Sequence, residues 1–212
     1  MIFMYRYEPL DKYLKDAEAG TPTPGGGSVS ALVGALATTM SSMPVNFTIG
    51  REKFKQYDAQ LKRVLDECEN SRETLLSLME EDIAVYGEVS KAYGLPKTTE
   101  PEKKTRSEAI QKAATIAMEV PLKASMCCLY VLELTRELVD IANPNLISDI
   151  GVSAFLAEAA FQCAKLNVDI NLATIKNQSL VEKVRNEINQ AEKKVKTFSK
   201  EIQERVRAKI KG

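Results

Sequence analysis

An all-α, multi-helix bundle with long, partly kinked antiparallel helices is the fold this sequence predicts, and three observations point to it. Apolar residues recur at steps of three and four along most of the chain, no segment alternates polar and apolar as a strand would, and helix-start and helix-stop residues fall between the periodic runs. At 212 residues the chain can bury a full core, and it reads as one helical domain over residues 1–212.

The elements follow in order. "PLDKYLKDAEA", residues 9–19, opens on a proline suited to a helix start and predicts a short first helix. The second is predicted from Ser28, as its cap, to about Gly50, with Pro44 bending it. A long third helix is expected from about Lys55 to Ala92, ending near the breaker "YGLPK". Thr99-Glu100-Pro101-Glu102 has the form of a capping box and opens a helix from Glu100 to about Ala142, with Pro121 as its expected kink. "NPN" at 143–145 breaks the chain, Ser148 is the expected cap of the next helix, and the last helix runs from about Leu180 to Ile210. Val181, Val184, Ile188, Ala191, Val195, Phe198, Ile202 and Val206 give that helix a seam to lay along the bundle or along a dimer mate, with a solvated basic face.

Composition excludes several chemistries. The chain has no histidine, which removes Ser-His-Asp triads, Cys-His pairs and histidine-ligated zinc, so proton transfer falls to other groups, carboxylates first. Lysine plus arginine and aspartate plus glutamate each number 29, with no basic half, and no nucleic-acid footprint is expected. Cys68, Cys127, Cys128 and Cys163 lack metal-ligand or redox spacing and read as packed thiols; no metal site is expected. "MIFMYRYEPL" has no apolar core or cleavage site of a signal peptide, so the expected location is cytoplasmic. Ser30, Thr38, Thr39, Ser41, Ser42 and Pro44 interrupt the apolar run from Ser28 to Val45, which reads as a buried central helix and not as a membrane span.

Two local features are candidates for chemistry. In the third helix, steps of four and three from Leu61 give Leu65, Cys68, Arg72, Leu75, Met79, Asp82, Tyr86, Val89 and Tyr93. An ionised Asp82 in such a stripe is costly unless paired, hydrogen-bonded or protonated, so it marks a site, or else it sits at the stripe's wet edge. If residues 92–101 turn an antiparallel pair, Asp82 faces Ile110 with Arg106 about a turn away, where Arg106 orients a substrate, pairs with Asp82 or stays solvated. The second feature is Gly25-Gly26-Gly27-Ser28, where bare backbone leads into a helix N-terminus. Such a segment either admits a ligand to exposed N–H groups or makes a plain sharp turn. It matches neither a phosphate-binding P-loop nor the dinucleotide fingerprint.

Blocks in order along residues 22–172 carry a resemblance: "PTPGGGSVSALVGALATTM", "NFTIGREKF", "EEDIAVYGEVSKAYGLPKTT", "RSEAIQKAATIAMEVPLK", "NPNLISDIGVSA" and "LNVDINL". Together they resemble the formimidoyltetrahydrofolate cyclodeaminase family, which includes methenyltetrahydrofolate cyclohydrolases. The resemblance implies an all-α homodimer of folate one-carbon metabolism with its site near the subunit interface. It implies a tetrahydrofolate derivative, with or without a polyglutamate tail, as substrate and no bound cofactor. The implied reaction closes 5-formimidoyltetrahydrofolate to 5,10-methenyltetrahydrofolate and releases ammonia; the alternative hydrolyses the methenyl bridge. Asp82 followed by Tyr86 matches the family's "D-x-x-x-[FY]" block, which implies that Asp82 is the proton donor.

The resemblance also implies that Gly25, Gly26, Gly27 and Ser28 line the site. Arg51 and Lys53 match a basic block, broken here by Glu52, that either meets the glutamate tail or is a solvated helix start. Asn145, Ser148, Asp149, Asn167 and Asn171 suit the amide-like edge of a pterin, or serve as caps and polar core contacts. Ala142-Asn143 departs from the family's Gly-Asn, and Pro44 replaces a more helix-friendly residue. With no formimidoyltransferase module in view, formimino transfer is expected on a separate chain. The rival from another class is a noncatalytic helical scaffold, against which a retained Asp82, glycine loop and asparagine cluster argue.

Overall fold

The structure is a computed structural model and describes residues 4–211; residues 1–3, part of the stretch read above for a leader, and Gly212 lie outside the described residues. Among the described residues six α-helices make up the bundle: α1 Leu10–Glu18, α2 Gly26–Asn46, α3 Asp58–Gly94, α4 Glu100–Ile141, α5 Ile147–Leu172 and α6 Gln178–Lys211. A short 3-10 turn at Tyr5–Tyr7 precedes α1, others at Glu52–Tyr57 and Pro144–Leu146 join α2 to α3 and α4 to α5, and no strand occurs among the described residues.

The small residues of α2 place it at the centre. It packs against α3, α4 and α5, with Ala31, Gly34, Ala35, Ala37 and Thr38 all buried. A Cβ built on Gly34 would lie 2.9 Å from Cys128 Sγ and 3.1 Å from Leu75 Cδ2, so α3 and α4 approach closer there than a side chain permits. Polar groups in this interior bond one another: Ser41 Oγ lies 2.7 Å from Thr135 Oγ1 and 2.8 Å from Ser153 Oγ, which ties α2, α4 and α5 together. By length and composition α2, α4 and the segment ending in α5 would suffice to cross a bilayer, contrary to the expected shortfall in apolar length for α2. Here their apolar faces supply much of the core. Buried Phe161, Leu132, Leu134, Leu138, Ile150 and Ile188 join α4, α5 and α6, each contributing about 1.5–3 kcal/mol on burial.

The helix signals hold with specific corrections. Thr99 Oγ1 accepts the Glu102 N–H while Glu102 Oε2 accepts the Thr99 N–H at 2.8 Å, the reciprocal box the sequence predicts. Neither serine cap forms. Gly25 is the N-cap of α2 and Ser28 is buried within its first turn; Leu146 precedes α5, with Ser148 inside it. Both helices start earlier because tertiary contacts and the Pro144–Leu146 turn set the entry of the chain. α2 accommodates Pro44 in its last turn and stops at Asn46; α4 continues through Pro121. α6 lies along α4 and α5 of its own bundle, with the predicted seam buried except for the partly exposed Phe198.

Successive long helices run antiparallel, so the bundle has two distinct ends. One gathers the start of α2, the C-terminal part of α3, the N-terminal part of α4 and the end of α5. At the other, the Asn143 N–H donates to Thr48 Oγ1 at 2.8 Å and fastens the α4–α5 connection to the end of α2.

Candidate active site

The first turn of α2 has backbone N–H groups without helical partners, and its N-cap, Gly25, has no side chain to receive them. A carboxylate from α3 does so instead: Asp82 Oδ2 accepts the Ser28 N–H at 2.9 Å. This requires Gly27. A Cβ there would lie 2.6 Å from Asp82 Cγ and 2.8 Å from Oδ2, which no side chain tolerates. Gly26 makes room in the same way for α5, since its Cβ would stand 3.3 Å from Asn167 Nδ2. The glycines therefore let polar side chains of two other helices close on the start of α2. Thr23-Pro24, a cis peptide, precedes them. No acceptor within the described residues meets the Gly26 or Gly27 N–H, and both residues face a cleft of about 320 Å³.

The apolar stripe of α3 supplies a wall of that cleft. Asp82, Val85, Tyr86, Val89 and Tyr93 line it, and Ala117 of α4, Asn167, Ile170 and Asn171 of α5 and Thr174 complete it with Pro22 and Thr23. Among the described residues Asp82 is its one charged lining residue. Asn171 Nδ2 donates to the carbonyls of Ala117 at 3.2 Å and Asn167 at 2.8 Å, and Asn167 Nδ2 donates to the Cys163 carbonyl at 2.9 Å. Both carboxamide oxygens are left without a donor among the described residues, as acceptors at the cleft.

Burial raises the Asp82 pKa above the ordinary carboxylate value, and the Ser28 N–H partly opposes the rise by favouring the charged form. Behind this pair, buried Tyr13 places its hydroxyl 3.0 Å from Ser28 Oγ, with its ring edge-on to Tyr5 at 5.2 Å. A half-buried carboxylate of raised pKa, beside free N–H donors and one turn from the Tyr86 ring, can take and return a proton at a group held against it.

The structure sorts the predicted residues into two sets. Gly25, Gly26, Gly27, Asp82, Asn167 and Asn171 meet at the cleft, and Ser28 contributes its backbone from behind. Lys53, Asn145, Ser148 and Asp149 do not join them. Lys53 is exposed in the 3-10 turn after α2, its Nζ 5.7 Å from the Phe54 ring centroid. The Asn145 N–H caps onto Asn143 Oδ1 at 3.1 Å, and Ser148 and Asp149 occupy the first turn of α5, about 28 Å along the helix from Asn167.

Arg106 does not pair with Asp82. Its guanidinium donates to the Tyr93 carbonyl at 3.2 and 3.3 Å and lies over the Tyr93 ring. The α3–α4 register explains this: Ala117, not Ile110, shares the cleft wall with Asp82, while Ile110 packs with Ala92 and Ala113. Reasoning from sequence missed Tyr13, Ala117, Ile170 and Thr174. Ile170 was findable, because it falls three residues after Asn167 on one helical face, whereas Thr174 lies in the turn after α5.

Comparison with known proteins agrees with this architecture. A family model described as formiminotransferase-cyclodeaminase matches residues 9–190. A methenyltetrahydrofolate cyclohydrolase of Methylorubrum extorquens is 34% identical over 203 residues, which cover 96% of this chain and 98% of that protein. A formimidoyltransferase-cyclodeaminase of Rattus norvegicus is 31% identical over 188 residues, 89% of this chain; the matched part is 35% of the rat protein's length. The crystal structure of a formiminotetrahydrofolate cyclodeaminase from Thermotoga maritima superposes with a TM-score of 0.81 at 27% identity, covering 98% of both chains. A helical bundle of this form, matched along most of its length by sequence and by structure, belongs to the formiminotransferase-cyclodeaminase family.

Proposed function

We propose that the protein is a folate one-carbon enzyme that cyclises 5-formimidoyltetrahydrofolate to 5,10-methenyltetrahydrofolate with release of ammonia, using Asp82 as both base and acid. The half-buried Asp82 carboxylate, held by the Ser28 N–H in a cleft with no other charge among its described lining residues, carries this reading. The cationic formimidoyl carbon is attacked by N10, and the Asp82 carboxylate takes the proton N10 loses. The protonated carboxyl then gives that proton to the amino group of the tetrahedral carbon, ammonia departs, and the methenyl cation forms with the carboxylate restored. A raised pKa brings the two transfers closer to balance near neutral pH. The lone negative charge and the Tyr86 ring suit a cationic substrate and product. Asn167 and Asn171 offer amide oxygens to the donor edge of the pterin, and the Gly26 and Gly27 N–H groups meet its acceptors. The reading invokes no metal or prosthetic group.

A second reading, hydrolysis of the methenyl bridge, is favoured by the Methylorubrum extorquens cyclohydrolase, which matches over nearly its whole length. There the same carboxylate takes a proton from water and returns it to N5 as that nitrogen leaves, while the hydroxyl on the tetrahedral carbon loses its remaining proton to solvent and becomes the formyl carbonyl on N10. Both reactions use one tetrahedral carbon, so Asp82→Asn is expected to lower either turnover about a hundredfold or more while folate still binds. Following methenyl absorbance in both directions separates the readings. Full activity of Asp82→Asn would refute the role of the carboxylate, and no folate binding at all would leave the scaffold.

We also propose a homodimer. α2 and α5 pack together, and each keeps an apolar stripe in solvent: Leu36 and Met43 on α2, continued by its C-cap Phe47, and Phe155, Leu166 and Ile170 on α5. Such a face suits a second copy of the chain, and Ile170 also lines the cleft. Sedimentation at micromolar concentration tests it, and a monomer there would refute it.

A further inference from the structure

Among the described residues the cleft lining has one carboxylate and no cation, whereas the folate substrate proposed above ends in the α- and γ-carboxylates of glutamate. Those charges need a receiving group beyond the lining, and the expected one, Lys53, is at the wrong end of its own bundle. From Asp82 the α3 wall rises through Tyr86 and Val89 to Tyr93, about 16 Å along the helix. A substrate with its reacting carbon at Asp82 and its ring along this wall delivers its far end at Tyr93.

Two cations wait there, each fixed by neutral groups of the rim. Arg106 donates through Nε and Nη2 to the Tyr93 carbonyl and stacks on the Tyr93 ring at 5.6 Å, leaving Nη1 without an acceptor among the described residues. Lys176 Nζ donates to Ser107 Oγ at 3.1 Å, one residue from Arg106. The Lys176 backbone N–H donates to Gln111 Oε1 at 2.7 Å, and Gln111 Nε2 donates to the carbonyl of the cleft residue Thr174 at 2.9 Å. Neither cation forms an ion pair among the described residues. A guanidinium and an ammonium pre-positioned in this way cost little further ordering when they meet carboxylates.

We infer that Arg106 and Lys176, held at the cleft mouth by Tyr93 and Ser107, receive the glutamate carboxylates of the substrate and set the preference for longer glutamate tails. This rests on the folate reading and adds the position of the tail. Both residues act on binding, not on the proton transfers at Asp82.

Steady-state kinetics with mono- and triglutamate substrate provide the test. Wild-type turnover is measured first and examines the folate reading by itself. The wild type is expected to show a lower KM for the triglutamate, by a margin that shrinks as ionic strength rises. Arg106→Gln combined with Lys176→Gln is expected to raise the triglutamate KM roughly tenfold with kcat kept within about twofold, closing the gap between substrates. Lys193→Gln with Lys194→Gln, an equal charge loss on exposed α6, is expected to keep the gap. An active enzyme whose Arg106 and Lys176 variant retains the wild-type KM for both substrates overturns the assignment, as does equal loss of the gap in the α6 control.

Discussion

Gly27 and Gly34 lie two turns apart on α2, and a methyl group added at each would strike a different kind of neighbour. At Gly27 it meets the carboxylate of Asp82, which borders an open cleft. At Gly34 it meets Cys128 Sγ and the Leu75 methyls, all sealed in the core. Close approach is therefore used twice on one helix. In the first place it brings an acid to exposed N–H groups; in the second it closes the packing between α2, α3 and α4. The neighbour, more than the glycine, decides whether a substitution is felt in chemistry or in stability.

Gly27→Ala gives the largest expected effect: the displaced Asp82 side chain can swing into the cleft, so turnover falls about a hundredfold while Tm moves by no more than about 2 °C. Paired kinetic and calorimetric measurements decide this, and an active but unstable variant would erase the contrast. Ser153→Ala, in the interior beside the middle of α2, removes a hydroxyl that donates to the Ala37 carbonyl at 2.8 Å and meets Ser41 and Thr135. It is expected to cost about 2 kcal/mol in urea titration with KM unchanged.

Gly34→Ala comes next. Overpacking costs about 1–3 kcal/mol against about 1 gained in helix propensity, for a net loss of about 1 kcal/mol at full activity.

The smallest effect sharpens the Asp82 side of the comparison. Burial raises its pKa in the folded chain, so its stabilising contribution is complete below the unfolded value of about 3.9 and is lost as pH rises through the higher folded value. Asn is neutral throughout and can still accept the Ser28 N–H. Asp82→Asn is thus expected to raise Tm by about 2 °C at pH 8, by a margin that shrinks toward pH 4. The same shift predicts that wild-type kcat/KM falls as pH drops through the Asp82 pKa, because the first proton transfer needs the carboxylate.

Periodicity and breakers were enough to read the six helices, since each long helix must bury a face and so writes its period into the chain. The Asp82-Tyr86-Val89-Tyr93 stripe and the Asn167-Asn171 pair were legible for the same reason: residues on one face of one helix stay neighbours in the fold. Positions that depend on two helices were not legible. Arg106 was expected near Asp82 and instead meets Tyr93, because interhelical register is set by packing that no local pattern records. Asn145, Ser148 and Asp149 have the polarity of a binding site but fall at the opposite end of α5. Ser28 has the chemistry of a cap, yet a carboxylate 54 positions away takes that role for α2.

The sulfur atoms are distributed so that the molecule can report its own assembly. Cys128 is sealed inside, and burial pushes Cys68 and Cys127 up to about 11, which leaves almost no thiolate on them at neutral pH. Cys163 stands exposed on α5, seven residues before Ile170 and on the same side of the helix. A dimer closed over that side would shield it, so the rate at which a maleimide consumes this one sulfur, followed against protein concentration, would count free subunits without any engineered label.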